Sequence, residues 1–149
     1  MGGLGSGKTW AGVVEVFRQP QGSVGMVLAP TYPMIRDATL RTFLDLGYAA
    51  GIIREFHKSE MRVVLTSGVT ALFRSGDDPD RLRGPNLGWF WLAEAAMMTR
   101  QVWLIMLGRL RLGPGRAWLT TTPRGRDWIY KSFREDRRDG YDLIRADTR

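Results

Sequence analysis

The sequence predicts an α/β fold in three layers, with helices on both faces of a mostly parallel sheet. Three observations predict it. Apolar runs with the length of strands alternate along the chain with segments of helical periodicity. No internal repeat, low-complexity tract or linker interrupts this alternation. The 149 residues are 44% hydrophobic and 25% charged, which is typical of one globular domain with a buried core.

The first half of the chain contains two predicted helices, a strand and a hairpin. In KTWAGVVEVFRQ the apolar residues recur at helical spacing as far as Phe17, and Pro20 ends that helix. SVGMVLAP is a nearly continuous apolar run, which predicts a buried strand. A second helix is predicted from Met34 to Leu46, with Gly47 as its end. MRVVL and VTALFRS flank a Ser-Gly turn, which predicts a hairpin.

The second half alternates strands and helices. A polar connection, DDPDRLRGPN, leads into LGWFWLAEAA, a five-residue apolar strand that runs into a carboxylate. TRQVWLIMLGRLR predicts a helix with Val102, Ile105, Met106 and Leu110 on one side. GRAWLTTTPRG predicts a strand, RDWIYKSFRED a helix and YDLIRADTR a final strand. In such folds ligands bind at the carboxyl ends of the strands, so those ends are the places to look for chemistry.

The composition argues against several classes of enzyme and favours a polyanionic partner. The sequence has no cysteine and one histidine, His57, which argues against thiol, disulfide and zinc chemistry. The net charge is +7, and most basic residues are arginines, whose forked guanidinium groups match phosphate oxygens. A GC-rich coding bias would also raise the share of arginine, but the net charge itself favours nucleic acid or nucleotide binding. No apolar run approaches the roughly 20 residues that span a bilayer, so no membrane segment is expected.

The first residues fit the phosphate-binding loop pattern G-x-x-x-x-G-K-[ST], in which backbone N–H groups and a helix N-terminus bind polyphosphate. Lys8 would contact the β- and γ-phosphates of ATP, and the Thr9 hydroxyl would ligate Mg²⁺. A flexible glycine-rich terminus is the alternative. Such a loop follows a strand, and only Met1 precedes it, so we expect the first strand of the sheet to be missing from this chain. The matching residues are Gly2, Gly3, Leu4, Gly5, Ser6, Gly7, Lys8 and Thr9.

Two further strand ends carry polar side chains. Glu94 follows WFWLA, where a phosphate-loop ATPase has a glutamate that activates water. Ala93 stands where such an ATPase has an aspartate for the Mg²⁺ shell. The alternative makes Glu94 a helix-start residue stabilised by the helix dipole. In LTTTP the threonines lie at the end of a predicted strand, where their hydroxyls can sense a γ-phosphate. The alternative is that the run of threonines only favours a strand.

The polar connection before the second strand end carries two arginines, Arg81 and Arg83. An arginine donated to the γ-phosphate of a neighbouring subunit raises a hydrolysis rate by about a thousandfold or more. Most loop arginines are only solvated. Asp77, Asp78 and Asp80 nearby fit a polar turn better than a metal site.

These segments in this order resemble the large terminase subunits of tailed bacteriophages, the ATPases that drive DNA into a prohead. The resemblance covers nearly the whole chain and rests on five segments: GGLGSGKT, LAPTYPMIRDATLRTF, SGDDPDRLRGPNLGWFWLAEAA, W…MLGRLR and TTTPRGRDWIYKSF. It implies a P-loop NTPase of the ASCE type, the class with a catalytic glutamate. Residues 1–149 would be a partial ATPase domain, without the nuclease domain of the family.

The resemblance also implies residue roles. Lys8 and Thr9 look like the phosphate and Mg²⁺ residues, and Glu94 looks like the catalytic glutamate. Arg83, rather than Arg81, looks like the arginine supplied in trans within the packaging ring. The family motif that couples hydrolysis to DNA movement corresponds to Thr121, Thr122 and Pro123.

A protein of this family would move double-stranded DNA through contacts with its backbone, independently of base sequence. It would work as a homo-oligomeric ring on a portal with a small terminase subunit, in the cytoplasm of the bacterial host, encoded by a phage or prophage. Ala93 and the missing strand leave a second hypothesis open: a catalytically impaired prophage remnant that binds nucleotide or DNA without turnover. A helicase or a small-molecule kinase is disfavoured, because neither a second arginine-rich domain nor an acceptor pocket is recognisable.

Overall fold

The computed structural model describes residues 3–122 and 128–135, with side chains described from residue 7 onwards and up to residue 133. The predicted strand YDLIRADTR lies outside the described residues. The helices are α1 (Gly3–Phe17), α2 (Tyr32–Met34), α3 (Leu40–Ala49), α4 (Arg100–Leu107) and α5 (Trp128–Tyr130). The strands are β1 (Val24–Ala29), β2 (Ile53–His57), β3 (Arg62–Leu65), β4 (Thr70–Ser75), β5 (Trp89–Ala93) and β6 (Arg116–Thr120).

The strands form one sheet with the order β2-β3-β4-β1-β5-β6. β1 pairs in parallel with both β4 and β5, and β5 pairs in parallel with β6. The hairpin strands β2, β3 and β4 pair antiparallel at the other side of the sheet. The carboxyl ends of the parallel strands therefore lie together at one edge of the sheet. β6 is the outermost described strand beside β5.

Helices cover both faces of the sheet, so the predicted three-layer α/β fold is confirmed. β5 shows why: its five residues are all buried, with Trp89 and Trp91 in the cluster under α1 and α3 and Phe90 and Leu92 in the cluster under α4. A strand buried on both faces needs an unbroken apolar sequence, which is what WFWLA provides. None of the helices in the described ranges is long and apolar enough to cross a membrane.

The second helical segment is longer than the sequence predicts. It starts at Tyr32, because the Thr31 hydroxyl accepts a hydrogen bond from the Met34 N–H, and it continues through a π-helical turn (Ile35–Thr39) into α3. The prediction that Gly47 ends the helix is wrong. Gly47 lies inside α3, where a Cβ would come within 2.3 Å of the Ile53 side chain, so the position is glycine because β2 packs there.

Two other predicted details also differ. β2 is not predicted from the sequence, because its burial does not alternate and it carries charged residues at the free edge of the sheet. Leu110 does not continue α4, which ends at Leu107. It pairs instead with Leu87 in an isolated parallel bridge that closes the loop before β6.

Gly25 in β1 tests the packing of the central strands. A Cβ on Gly25 would come within 1.9 Å of the Trp89 ring, which lies across it from the neighbouring strand and stacks on Trp118. Gly25→Ala should lower the free energy of unfolding by about 1–3 kcal/mol, the usual cost of overpacking. Gly84→Ala is the control, since a Cβ there meets no atom within 4 Å. Equal urea midpoints for the two variants would contradict this packing.

Candidate functional site

The candidate site lies where β5 and β6 end side by side. The two strands are parallel and in register, with Ala93 opposite Thr120. Glu94 and Thr121 are therefore the first residues beyond two neighbouring strands, at the same edge of the sheet. This is the edge at which open α/β sheets bind ligands.

Glu94 leaves β5 in a strained backbone conformation. Its φ of 56° and ψ of 48° lie in the left-handed region, and among the described non-glycine residues only Met61 also has a positive φ. Such a conformation costs about 1–3 kcal/mol and is found mostly at functional sites. Its side chain is half-buried. Glu94 is the N-cap of a short 3₁₀ turn (Ala95–Met97), but its side chain makes no capping hydrogen bond there, and α4 begins only at Arg100.

The three threonines at the end of β6 each hydrogen-bond to a different element. The Thr120 hydroxyl accepts from the Trp91 indole N–H of β5 at 2.9 Å. The Thr121 hydroxyl accepts from the Ala96 backbone N–H, in the turn after Glu94, at 2.9 Å. The Thr122 hydroxyl accepts from the Lys8 ammonium of α1 at 3.0 Å. These residues therefore do more than favour a strand, because their hydroxyls connect the end of β6 to α1, β5 and the Glu94 turn.

The structure brings four of the sequence-predicted site residues together. Lys8 contacts Thr122, and Thr121 contacts the turn that carries Glu94. Thr9 follows Lys8 on α1 and is half-buried. Pro123 and Gly2 lie outside the described residues.

The phosphate-loop residues differ from the predicted loop in conformation. The sequence predicts a helix over KTWAGVVEVFRQ, after the loop. In the structure α1 already begins at Gly3, so residues 3–7 are helical. A helix leaves its first four N–H groups without an intrahelical partner, here those of residues 3–6, and directs them along the helix axis, whereas a phosphate loop wraps its N–H groups around the anion. Binding of a phosphate would therefore require these residues to leave the helix, and their glycines would make that change sterically easy.

Arg83 lies on the loop between β4 and β5. It follows a 3₁₀ turn (Pro79–Leu82) that is fixed by the buried side chain of Leu82. Its guanidinium is 3.6 Å from the Asp80 carboxylate, and both side chains are mostly exposed, so that ion pair is weak. The Arg83 side chain is therefore exposed and only weakly held by its own chain. The described residues contain no group of three His, Cys, Asp or Glu side chains placed to hold a metal ion.

A groove of about 660 Å³ lies at the opposite side of the sheet, between the α2–α3 segment and the hairpin. Leu40 and Met61 line it as buried apolar side chains, and Arg36 and Lys58 line it as exposed cations. Hydrogen bonds from Arg36 hold the pKa of Asp37 below its usual range. None of the lining residues belongs to the predicted site, so the groove has no part in it.

Comparison with known proteins identifies the family. The family model described as phage terminase large subunit matches residues 1–149. This chain belongs to the phage terminase large subunit family. The resemblance noted in the sequence is thereby confirmed.

Individual relatives agree with this assignment. The terminase large subunit of Thermus virus P23-45 is 30% identical over 154 residues, which cover 88% of this chain and 32% of the relative. The large terminase ATPase domain of Thermus phage P74-26 superposes with a TM-score of 0.62 at 26% identity, covering 87% of this chain and 60% of that one. The chain spans about a third of the length of the curated terminase subunits that it matches.

A more distant terminase supports the fold. The large terminase of another thermophilic bacteriophage, in complex with ADP, gives a TM-score of 0.68 at 16% identity, over 80% of this chain and 31% of that one. At this identity the likeness concerns architecture. It shows the same P-loop-type architecture that the P74-26 ATPase domain shares with this chain.

Proposed function

We propose that this chain binds ATP with Mg²⁺ and hydrolyses it as the motor part of a DNA-packaging terminase. One observation carries the proposal: the 3.0 Å hydrogen bond from Lys8 to Thr122 puts the expected phosphate-binding lysine at the strand ends that also carry Glu94. A lysine, a carboxylate and hydroxyls around one strand edge are the parts that phosphoryl transfer uses. The family membership and the P74-26 ATPase domain support the same chemistry.

The donors present fit a nucleotide with magnesium. Mg²⁺ bound to a nucleotide keeps several waters and phosphate oxygens and needs only one or two protein oxygens, so the Thr9 hydroxyl suffices as a first ligand. Magnesium supplies neutralisation of charge on the phosphates when bound. Lys8 binds the β- and γ-phosphates, after residues Gly2 to Gly7 have turned their N–H groups towards them.

Glu94 is the general base of the proposal. Its carboxylate accepts a proton from the attacking water, and the half-buried position limits competing solvent. Arg83 of a neighbouring subunit in a homo-oligomeric ring places its guanidinium on the γ-phosphate, in agreement with its exposed loop position. Thr121, Thr122 and Pro123 pass the loss of the phosphate to neighbouring elements, so that hydrolysis moves DNA.

The proposed substrate for movement is double-stranded DNA, gripped through its phosphates without reading base sequence. The net charge of +7 supports a polyanionic partner. Membership of the terminase family supports a ring on a portal with a small terminase subunit, inside the cytoplasm of a bacterial host of a phage or prophage.

One observation favours a second candidate function. Ala93 is 2% exposed at the end of β5, and no carboxylate stands there for the magnesium shell. The second candidate is a prophage remnant that binds nucleotide or DNA without turnover. Measurement of phosphate release distinguishes the two candidate functions, because a remnant would bind ATP without releasing phosphate.

Lys8→Ala tests the nucleotide site directly. The variant loses a charge-assisted contact with the phosphates, which is worth about 1.5–3 kcal/mol. We therefore expect affinity for a fluorescent ATP analogue to fall about tenfold or more. Lys58→Ala is the matched control, because Lys58 is an exposed lysine at the opposite side of the sheet and should leave affinity unchanged. Equal affinity of Lys8→Ala and the parent chain would rule out the assigned phosphate site.

A further inference from the structure

We propose that Thr121 is a positioning residue for Glu94, which it holds through the hydrogen bond from the Ala96 N–H to its hydroxyl. The inference rests on the proposed function, since Glu94 matters here as the base for hydrolysis. The hydrogen bond restrains the backbone turn that carries Glu94 against the strand end that also contacts Lys8 of α1.

The Glu94 turn needs an external partner. Met97 donates its N–H to the Glu94 carbonyl and so closes the 3₁₀ turn, which leaves the Ala96 N–H without a backbone acceptor in the turn. Ala95 beside it is fully buried. Ala96 itself is half-buried, and an N–H that is partly withdrawn from water is costly without a partner. Thr121 supplies that partner at 2.9 Å.

The strained backbone makes this contact matter for geometry. Glu94 has a φ of 56°, a conformation that a glutamate keeps only when its surroundings impose it. On one side of Glu94 the chain is fixed by the pairing of β5 with β6, and on the other side by the Thr121 hydroxyl. Without the second restraint, we expect the turn to relax and the carboxylate to shift.

The same strand end also contacts the phosphate-binding helix. The Thr121 hydroxyl donates a long hydrogen bond of 3.4 Å to the Thr122 carbonyl, and the Thr122 hydroxyl accepts from Lys8. Two adjacent threonines therefore tie the Glu94 turn and Lys8 to one segment of backbone. The distance between base and phosphate is set by this segment.

Three substitutions isolate the hydroxyl of Thr121. Thr121→Val keeps the shape and the strand preference of threonine but removes the acceptor. Thr121→Ser keeps the hydroxyl. Thr120→Val is the matched control, because it removes a hydrogen bond of the same length from the same strand end, to Trp91 in β5 and not to the Glu94 turn.

We expect Thr121→Val to lower kcat for ATP hydrolysis about tenfold to a hundredfold, since small misplacement of a catalytic group has effects of that size. The KM for ATP should stay within about twofold, because the lost interaction acts in the transition state. Thr121→Ser should restore most of the rate. A kcat of Thr121→Val equal to that of the parent chain, with the parent active, would overturn the inference and leave the proposed function intact.

Amide hydrogen exchange at Ala96, read by NMR, tests the contact independently of turnover. We expect exchange at least about tenfold faster in Thr121→Val than in the parent, and near-parent exchange in Thr121→Ser and Thr120→Val. Unchanged exchange in Thr121→Val would overturn the contact. If exchange in the three variants is as expected but the parent chain releases no phosphate, the proposed function fails, and the positioning role for hydrolysis fails with it.

Discussion

Glu94→Gln is expected to lower the rate of ATP hydrolysis by about 10²–10⁴-fold, the usual contribution of a positioned general base. Glutamine has nearly the shape of glutamate and keeps a carbonyl oxygen in the half-buried site, but it cannot take a proton from water. ATP affinity should stay within about threefold, because the carboxylate is not a phosphate ligand in the proposal. Steady-state phosphate release and binding of a fluorescent ATP analogue measure the two quantities.

Glu60→Gln is the matched control for that experiment. The substitution makes the same chemical change at an exposed carboxylate. Glu60 pairs with Arg62 in the hairpin, away from the site. Its rate should equal that of the parent. A Glu94→Gln chain with parental turnover would show that the strained position of Glu94 serves the fold and not the reaction.

Trp91→Ala is expected to lower the free energy of unfolding by about 3–5 kcal/mol, as for other large buried aromatic residues. Trp91 is fully buried in β5, which lies between β1 and β6. Its ring lies against Gly12 of α1, where a Cβ would come within 2.1 Å of it, and its indole N–H donates to Thr120. The substitution therefore opens a cavity and leaves the Thr120 hydroxyl without its donor. Urea denaturation followed by circular dichroism measures the loss.

Trp10→Ala is the control for the core substitution. Trp10 lies on the same helix that Trp91 packs against, but its side chain is 55% exposed, so its loss should change stability by less than about 1 kcal/mol. Equal destabilisation by the two substitutions would mean that Trp91 is not the contact on which α1 packs.

The sequence predicts those elements whose pattern has a single structural meaning. WFWLA is an unbroken apolar run and SVGMVLAP a nearly continuous one, and each contains a buried strand in the centre of the sheet. The hairpin is likewise found, because strand-forming residues flank a Ser-Gly turn and Gly68 in that turn has a φ of +86°. The family that the ordered motifs suggest is confirmed by the family model, which matches residues 1–149.

The missed features depend on neighbours in space. β2 is an edge strand whose residues show no alternation, so only its pairing with β3 defines it. Gly47 has the sequence signature of a helix end, yet packing against Ile53 decides its role. The contacts of Thr120, Thr121 and Thr122 join residues that are 25 to 114 positions apart, and no local pattern in LTTTP reveals them.

The first residues adopt a conformation that their sequence pattern does not predict. GGLGSGKT matches a phosphate loop, whereas residues 3–7 continue α1 as a helix. The helix leaves the N–H groups of residues 3–6 without carbonyl partners, and phosphate oxygens would supply partners for them in the proposed loop conformation. We propose that bound nucleotide favours the loop conformation.

Steady-state phosphate release from ATP and Mg²⁺ tests the proposed motor most directly, measured on this chain and on the Lys8→Ala variant, with and without double-stranded DNA. We predict release that DNA of any sequence stimulates and that Lys8→Ala abolishes. A folded chain that binds ATP but releases no phosphate, with or without DNA, would contradict the motor and identify a nucleotide-binding remnant in which Ala93 has replaced the magnesium-binding carboxylate.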